Sequence, residues 1–257
     1  MKFAFCGKGG SGKSTVVGAC ARLLARRGEP TLVLDSDVMP GLAGALGVDA
    51  TDAPIPEDAV EAGEEGGPRW RLRTGLTAEA AVERYALSGP DEVRLLQLGK
   101  LRLEGAWTIA ASQHAFRQIA AELPADRWHL LGDLPGGTRQ PFFGWGAFAD
   151  TMVAVIEPTV KSYMTGRRLR RLADIPGGPQ LVVLATKVTG QADVDRIAEE
   201  VGLPLVGAVP RDDAIREADR RGVALVDHAP DAPAVAALEE FLATVRGEAH
   251  SDTEVPA

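Results

Sequence analysis

The chain has 257 residues, 28 basic and 36 acidic side chains for a formal net charge of -8, and 45% hydrophobic residues. A chain of that length and balance buries a full core as one large domain or two modest ones, which excludes disorder along its whole length. The acidic balance disfavours nucleic acid as a partner, and no apolar run approaches the ~18 residues of a membrane span.

Short apolar runs alternate with helical patterns. That alternation predicts an α/β fold, a mostly parallel sheet covered by helices on both faces. Strands are expected near 2–6, 31–35, 93–97, 128–132, 151–156, 180–185 and 205–209. Between them, buried stripes at the ~3.6-residue period mark helices: Val17, Cys20, Ala21, Leu24; Ala115, Phe116, Ile119, Ala120; Val194, Ile197, Ala198, Val201; and Val235, Leu238, Leu242, Val245. Gly or Pro punctuates three strand ends, at Cys6-Gly7, Glu157-Pro158 and Val209-Pro210, and ligands of such folds sit in the loops after strand ends. With no internal repeat and no long linker, residues 1–247 read as a single domain. Residues 50–70, rich in Pro, Gly and acid, read as a mobile excursion, and 248–257 as a disordered acidic tail.

The segment Gly7-Lys8-Gly9-Gly10-Ser11-Gly12-Lys13-Ser14-Thr15 matches G-x-x-x-x-G-K-[ST] between a predicted strand and a predicted helix. Glycines let successive amides turn around phosphate oxygens, and a helix starting near Lys13 adds the positive end of its dipole. Gly9, Gly10, Ser11, Gly12, Lys13, Ser14 and Thr15 are therefore candidate nucleotide contacts. Lys13 is expected on the β- and γ-phosphates and the Ser14 hydroxyl on Mg²⁺.

Lys8 stands where an ordinary phosphate loop requires no side chain. With it, the run Lys8 to Ser14 resembles the deviant Walker A motif of the MinD/ParA superfamily of P-loop ATPases. The resemblance implies a three-layer P-loop fold, ATP and Mg²⁺ as cofactors, and a nucleotide-dependent homodimer in which Lys8 of each protomer crosses to the other's phosphates. A cation supplied in this way to a transferring phosphoryl group is worth about 10³ to 10⁵ in rate. After the second strand, Leu34-Asp35-Ser36-Asp37 places carboxylates where only a metal or a nucleophilic water makes use of them. Asp37 resembles the family's switch I aspartate, which implies a catalytic role beside the metal; Asp35 either supports the metal shell or caps the turn. The run Trp128 to Gly137 resembles a Walker B strand with switch II, placing Asp133 on Mg²⁺ through water and the Gly136 amide near the γ-phosphate. At the base end, the strand closing on Thr186-Lys187 has Thr186 where relatives carry an Asn that reads adenine, and Pro210, Arg211 and Asp212 resemble the family's P-x-D loop.

The layout of residues 93–123 is similar to CooC-type maturation ATPases, which hold metal on a C-x-C pair; here Gly105 to Ala111 contains no cysteine. Soft-ligand nickel binding is thus unsupported, and His114, His129, His228 and His250 are scattered. Cys6 and Cys20 match no disulfide or zinc spacing and read as core of a protein in a reducing, cytoplasmic compartment. The expectation is a slow Mg-ATPase switch acting on an unidentified protein client. The alternative is a positioning ATPase of the ParA or MinD kind. Glu248 to Ala257 supplies no basic membrane helix, and Arg167, Arg168, Arg170 and Arg171 are the candidates for DNA contact.

Overall fold

The computed structural model describes residues 1–37, 41–49, 55, 59–64, 69–98, 106–124 and 126–247, for 106–110 as backbone only. The expected tail, much of the expected excursion, the end of the switch I segment and Gly105 lie outside the described residues. In chain order the elements are β1 (Lys2–Gly7), α1 (Lys13–Arg26), β2 (Thr31–Asp35), α2 (Leu42–Leu46), β3 (Val60–Ala62), β4 (Trp70–Leu72), α3 (Ala78–Tyr85), β5 (Leu87–Ser88), a 3-10 turn at Pro90–Glu92, and β6 (Arg94–Gln97). There follow α4 (Ala106–Glu122), β7 (His129–Asp133), α5 (Arg139–Phe142), β8 (Thr151–Ile156), α6 (Val160–Arg170), β9 (Gln180–Val188), α7 (Gln191–Val201), β10 (Leu205–Pro210), α8 (Asp213–Arg221), α9 (Leu225–His228) and α10 (Pro233–Val245).

Eight strands form one sheet in the order β10-β9-β8-β1-β7-β2-β6-β5, parallel except where β5 closes the edge against β6. All seven strands expected from the sequence are present. The period-2 alternation sorts their side chains into cores on opposite faces. Phe3, Phe5, Val33, Leu131, Val153 and Leu184 pack with Val17, Leu24, Leu238 and Phe241 of α1 and α10. On the other face, Leu32, Leu34 and Leu130 meet Ala115 and Ile119 of α4, while Ala4, Cys6, Ala154 and Ile156 meet Leu169 and Ile197 of α6 and α7. Each fully buried Leu, Val or Phe contributes about 1.5–3 kcal/mol, which holds both helical layers against the sheet. Cys6 and Cys20 are buried and unpaired by disulfide, and burial pushes the Cys6 thiol up to about 12.

Arg22, almost fully buried on α1, donates to Asp91 at 2.7 Å, Asp227 at 2.8 Å and Leu46 O at 2.9 Å, fixing that helix to three later segments. Its position matters because α1 begins at the phosphate loop. Part of the 50–70 stretch packs into the fold. Ile55 and Ala59 are each 1% exposed, β3 pairs with β4, and Ser112 Oγ of α4 donates to Ile55 O at 3.1 Å. Strands of two or three residues are too short to show alternation in the sequence, so this hairpin and β5 were not expected. Among the described residues no helix is long and apolar enough to cross a membrane.

Candidate nucleotide site

β1 lies between β7 and β8, so the Gly7–Gly12 loop leaves the middle of the sheet at its C-terminal edge. Gly10 (φ 81°) and Gly12 (φ 94°) adopt left-handed backbone that other residues enter only with strain, which turns the chain tightly before α1. Ser11 N donates to Lys8 O at 3.2 Å, and Val16 N to Gly12 O at 3.0 Å. The start of α1 has neither a capping side-chain bond nor an acid in its first turn, so its positive dipole end is available to an anion. Lys13 is buried with its Nζ 3.4 Å from Lys8 O, and the buried Ser11 Oγ has no hydrogen-bond partner among the described residues.

Register places Asp133, at the end of β7, beside Phe5 on one side and Asp35 on the other. Ser14 Oγ donates to Asp133 Oδ2 at 2.6 Å. Asp35 Oδ1 accepts from Asp37 N at 3.1 Å, so this carboxylate does cap the turn, and Ser36 Oγ ties β2 to β7 by donating to Asp133 O at 2.8 Å. Asp133 Oδ1 and Asp35 Oδ2 are both buried and, among the described residues, without a hydrogen-bond partner. Burial pushes Asp133 up to about 6, with the Asp37 charge adding and Ser14 and Lys13 opposing. Burial likewise pushes Asp35 up to about 7, reinforced by Asp133 and Asp37 against the Asp37 and Leu42 amides. A hydroxyl beside carboxylates with spare acceptor capacity suits Mg²⁺, a hard cation that takes one or two protein oxygens and fills its octahedron with water and phosphate. The residues present therefore fit that ion.

The same shifts fix a pH dependence. Folding raises both carboxyls, so the native chain retains protons that the unfolded chain loses from about pH 4 upward. Stability of the metal-free chain should be highest at the acid side of that window, fall as pH rises through about 6 to 7, and level off above. Added Mg²⁺ should flatten the slope. Thermal melts from pH 4.5 to 8 with EDTA or Mg²⁺ measure it.

Gly137 N donates to Gly7 O at 2.8 Å, laying the turn after β7 against the phosphate loop. A Cβ on Gly136 would sit 3.0 Å from both the nitrogen and the Cα of Gly9, so only glycine allows that contact without displacement. At the opposite end, Gly10 to Thr15 line a cavity of about 510 Å³ together with Thr186, Lys187, Pro210, Arg211 and Asp212. The fold thus gathers the expected base-end residues, yet side-chain polar atoms of Thr186, Lys187 and Asp212 are engaged with backbone. Thr186 Oγ1 donates to Ser11 O at 2.8 Å, and the Asp212 oxygens accept from Ala214 N at 2.9 Å and Ala234 N at 3.2 Å. Both fix loops around the cavity.

Lys8 folds back on its own chain: its Nζ lies 3.0 Å from Glu157 Oε1 and 3.2 Å from Gly9 O. Glu157 Oε2 lies 2.9 Å from Lys187 Nζ, which also donates to Gly10 O. In the sequence Glu157 marks only a strand end; the signal it carries is an acid just after β8, the strand that neighbours β1.

Residues 3–226 match the family described as CobQ/CobB/MinD/ParA nucleotide binding domain. The chain belongs to this nucleotide-binding family. It is 30% identical over 242 residues, 90% of this chain and 91% of the relative, to the carbon monoxide dehydrogenase accessory protein CooC of Rhodospirillum rubrum. Its fold is that of the septum site-determining protein MinD complexed with Mg-ADP from Pyrococcus horikoshii (TM-score 0.72, 19% identity, 97% and 98% of the two chains). A ParA family ATPase from Chlorobium tepidum superposes as well (TM-score 0.72, 14% identity, 95% and 98%). These two neighbours establish the MinD-like P-loop fold, and the MinD/ParA resemblance of the phosphate loop stands as family membership.

Proposed function

We propose that this MinD/ParA-family chain hydrolyses ATP slowly as a nucleotide-dependent homodimer and acts on a protein client in a maturation or loading step, in a cytoplasmic setting. The identity with CooC along nine-tenths of both chains is the observation that carries the client-directed reading. In the reaction, amides of Gly9 to Thr15 and the Lys13 ammonium bind the phosphates, and Gly136 senses the γ-phosphate against Gly9. Ser14, Asp133 and Asp37 would hold Mg²⁺, which when bound offsets charge on the β- and γ-oxygens. Asp37 orients the attacking water; its oxygen bonds to the γ-phosphorus as the bond to ADP breaks. Lys8 leaves its own chain to reach the phosphates of the second protomer, and loss of phosphate releases switch II.

Phosphate release from ATP tests this reading: it should require Mg²⁺, stay slow for the chain alone, and be lost when Lys8 is replaced by alanine. Absence of calorimetric ATP binding with Mg²⁺ at millimolar nucleotide would overturn it. The rival, attachment to DNA, rests on exposed Arg168, Arg170 and Arg171, since Arg167 pairs with Glu200. Nucleotide-dependent DNA retention that falls steeply with salt would favour the rival.

A further inference from the structure

Three lysines, Lys8, Lys13 and Lys187, converge on the loop between β1 and α1, and one carboxylate answers two of them. Glu157 spans Lys8 at 3.0 Å and Lys187 at 2.9 Å with separate oxygens, and its side chain is 10% exposed. Its place is built by the first turn of α6. Ser162 Oγ accepts the Glu157 amide at 3.1 Å, Thr159 caps the helix, and the Thr159 hydroxyl lies 3.4 Å from Glu157 Oε1. Lys187 is presented from a left-handed backbone at φ 55°. These contacts fix an anion beside the loop that the nucleotide phosphates would also approach. Burial alone would raise the Glu157 carboxyl, but Lys187 and Lys8 outweigh it and hold it below the usual carboxylate range.

We propose that Glu157 is a positioning residue that stands in for phosphate: it holds Lys8 and Lys187 against the loop of their own chain, and bound nucleotide must draw Lys8 away from it. This rests on the nucleotide-binding function proposed above. Two consequences follow from charge alone. Phosphate and Glu157 compete for the same ammonium groups, so the pair weakens nucleotide binding to the single chain. The same pair restrains Lys8 from reaching across to a second chain, so the dimer forms only once enough triphosphate is present.

The test measures the affinity of a non-hydrolysable ATP analogue with Mg²⁺ by calorimetry, at protein dilutions where light scattering shows monomer. Glu157→Gln keeps the shape and the Thr159 contact while removing the charge. It should bind the analogue about tenfold more tightly, because two cations lose their internal partner. Placed in a Lys8→Ala background, Glu157→Gln should keep only the part of that gain that comes from Lys187, a coupling that a merely structural role for Glu157 would not produce. The dimer of Glu157→Gln should also form at lower analogue concentration than that of the parent chain. Unchanged or weaker binding by folded Glu157→Gln, or a gain that is undiminished without Lys8, overturns the proposal. If Glu157→Gln does not fold, Glu157→Asp carries the same expectation at smaller size, since one methylene fewer draws the charge back from both lysines. Failure of the parent chain to bind the analogue would instead remove the proposed function.

Discussion

Lys13→Ala should abolish measurable nucleotide binding while leaving the fold intact. Lys13 is buried at the start of α1, yet among the described residues its ammonium finds as hydrogen-bond partner only Lys8 O, at a long 3.4 Å. Its ammonium therefore adds little to folding and is held ready for an oxygen more negative than a carbonyl. The loop amides remain in the variant, but a charge-assisted contact inside a desolvated cradle is lost, and affinity should fall by about 10² or more. Lys13→Arg should fare little better, because a planar guanidinium is wider than an ammonium in a loop this tight. Calorimetry with Mg-ATP gives the affinity, and a melting temperature near that of the parent chain separates lost binding from lost structure. A fall of less than threefold would mean that the backbone cradle alone binds nucleotide.

Asp37→Ala should bind Mg-ATP at least as well as the parent chain and hydrolyse it about 10² to 10⁴ times more slowly, the range for loss of a positioned acid-base group. The residue is partly exposed, and its backbone amide donates to Asp35 Oδ1 at 3.1 Å, a contact that alanine preserves. The Asp37 charge also raises both Asp35 and Asp133, so its removal should let those carboxyls relax toward the usual range and lessen repulsion of the phosphates. Single-turnover phosphate release measures the chemical step. A Mg²⁺ titration distinguishes the two expected roles: weakened Mg²⁺ binding marks Asp37 as a metal ligand, and unchanged binding marks it as the group that orients water. Hydrolysis at the parent rate would remove Asp37 from the mechanism.

What the sequence made legible was local or carried by buried strands. Seven strands were legible because each is an apolar run between turns, and Gly7 to Thr15 was legible because every residue of the cradle is contiguous. Ser14 and Asp133 lie 119 positions apart and meet at 2.6 Å; they were paired in advance only because their motifs recur in a known order. Glu157 had no such motif. Its partnership with Lys8 depends on β8 lying beside β1, an ordering that composition and periodicity do not contain. Thr186 and Asp212 line the cavity beside the phosphate loop, but the atoms they bond, Ser11 O and two helix-start amides, belong to segments that only the folded chain brings near. The β3–β4 hairpin was hidden for the opposite reason: its strands are too short to show a period, and its burial is supplied by α4.

Light scattering of Asp37→Ala with saturating Mg-ATP tests the nucleotide-driven dimer most directly. The mass should rise from that of one 27.1 kDa chain to twice it on adding ATP, and return to the single-chain value with ADP. A single-chain mass with ATP fully bound would contradict the two-protomer mechanism and leave Lys8 without a second nucleotide to reach.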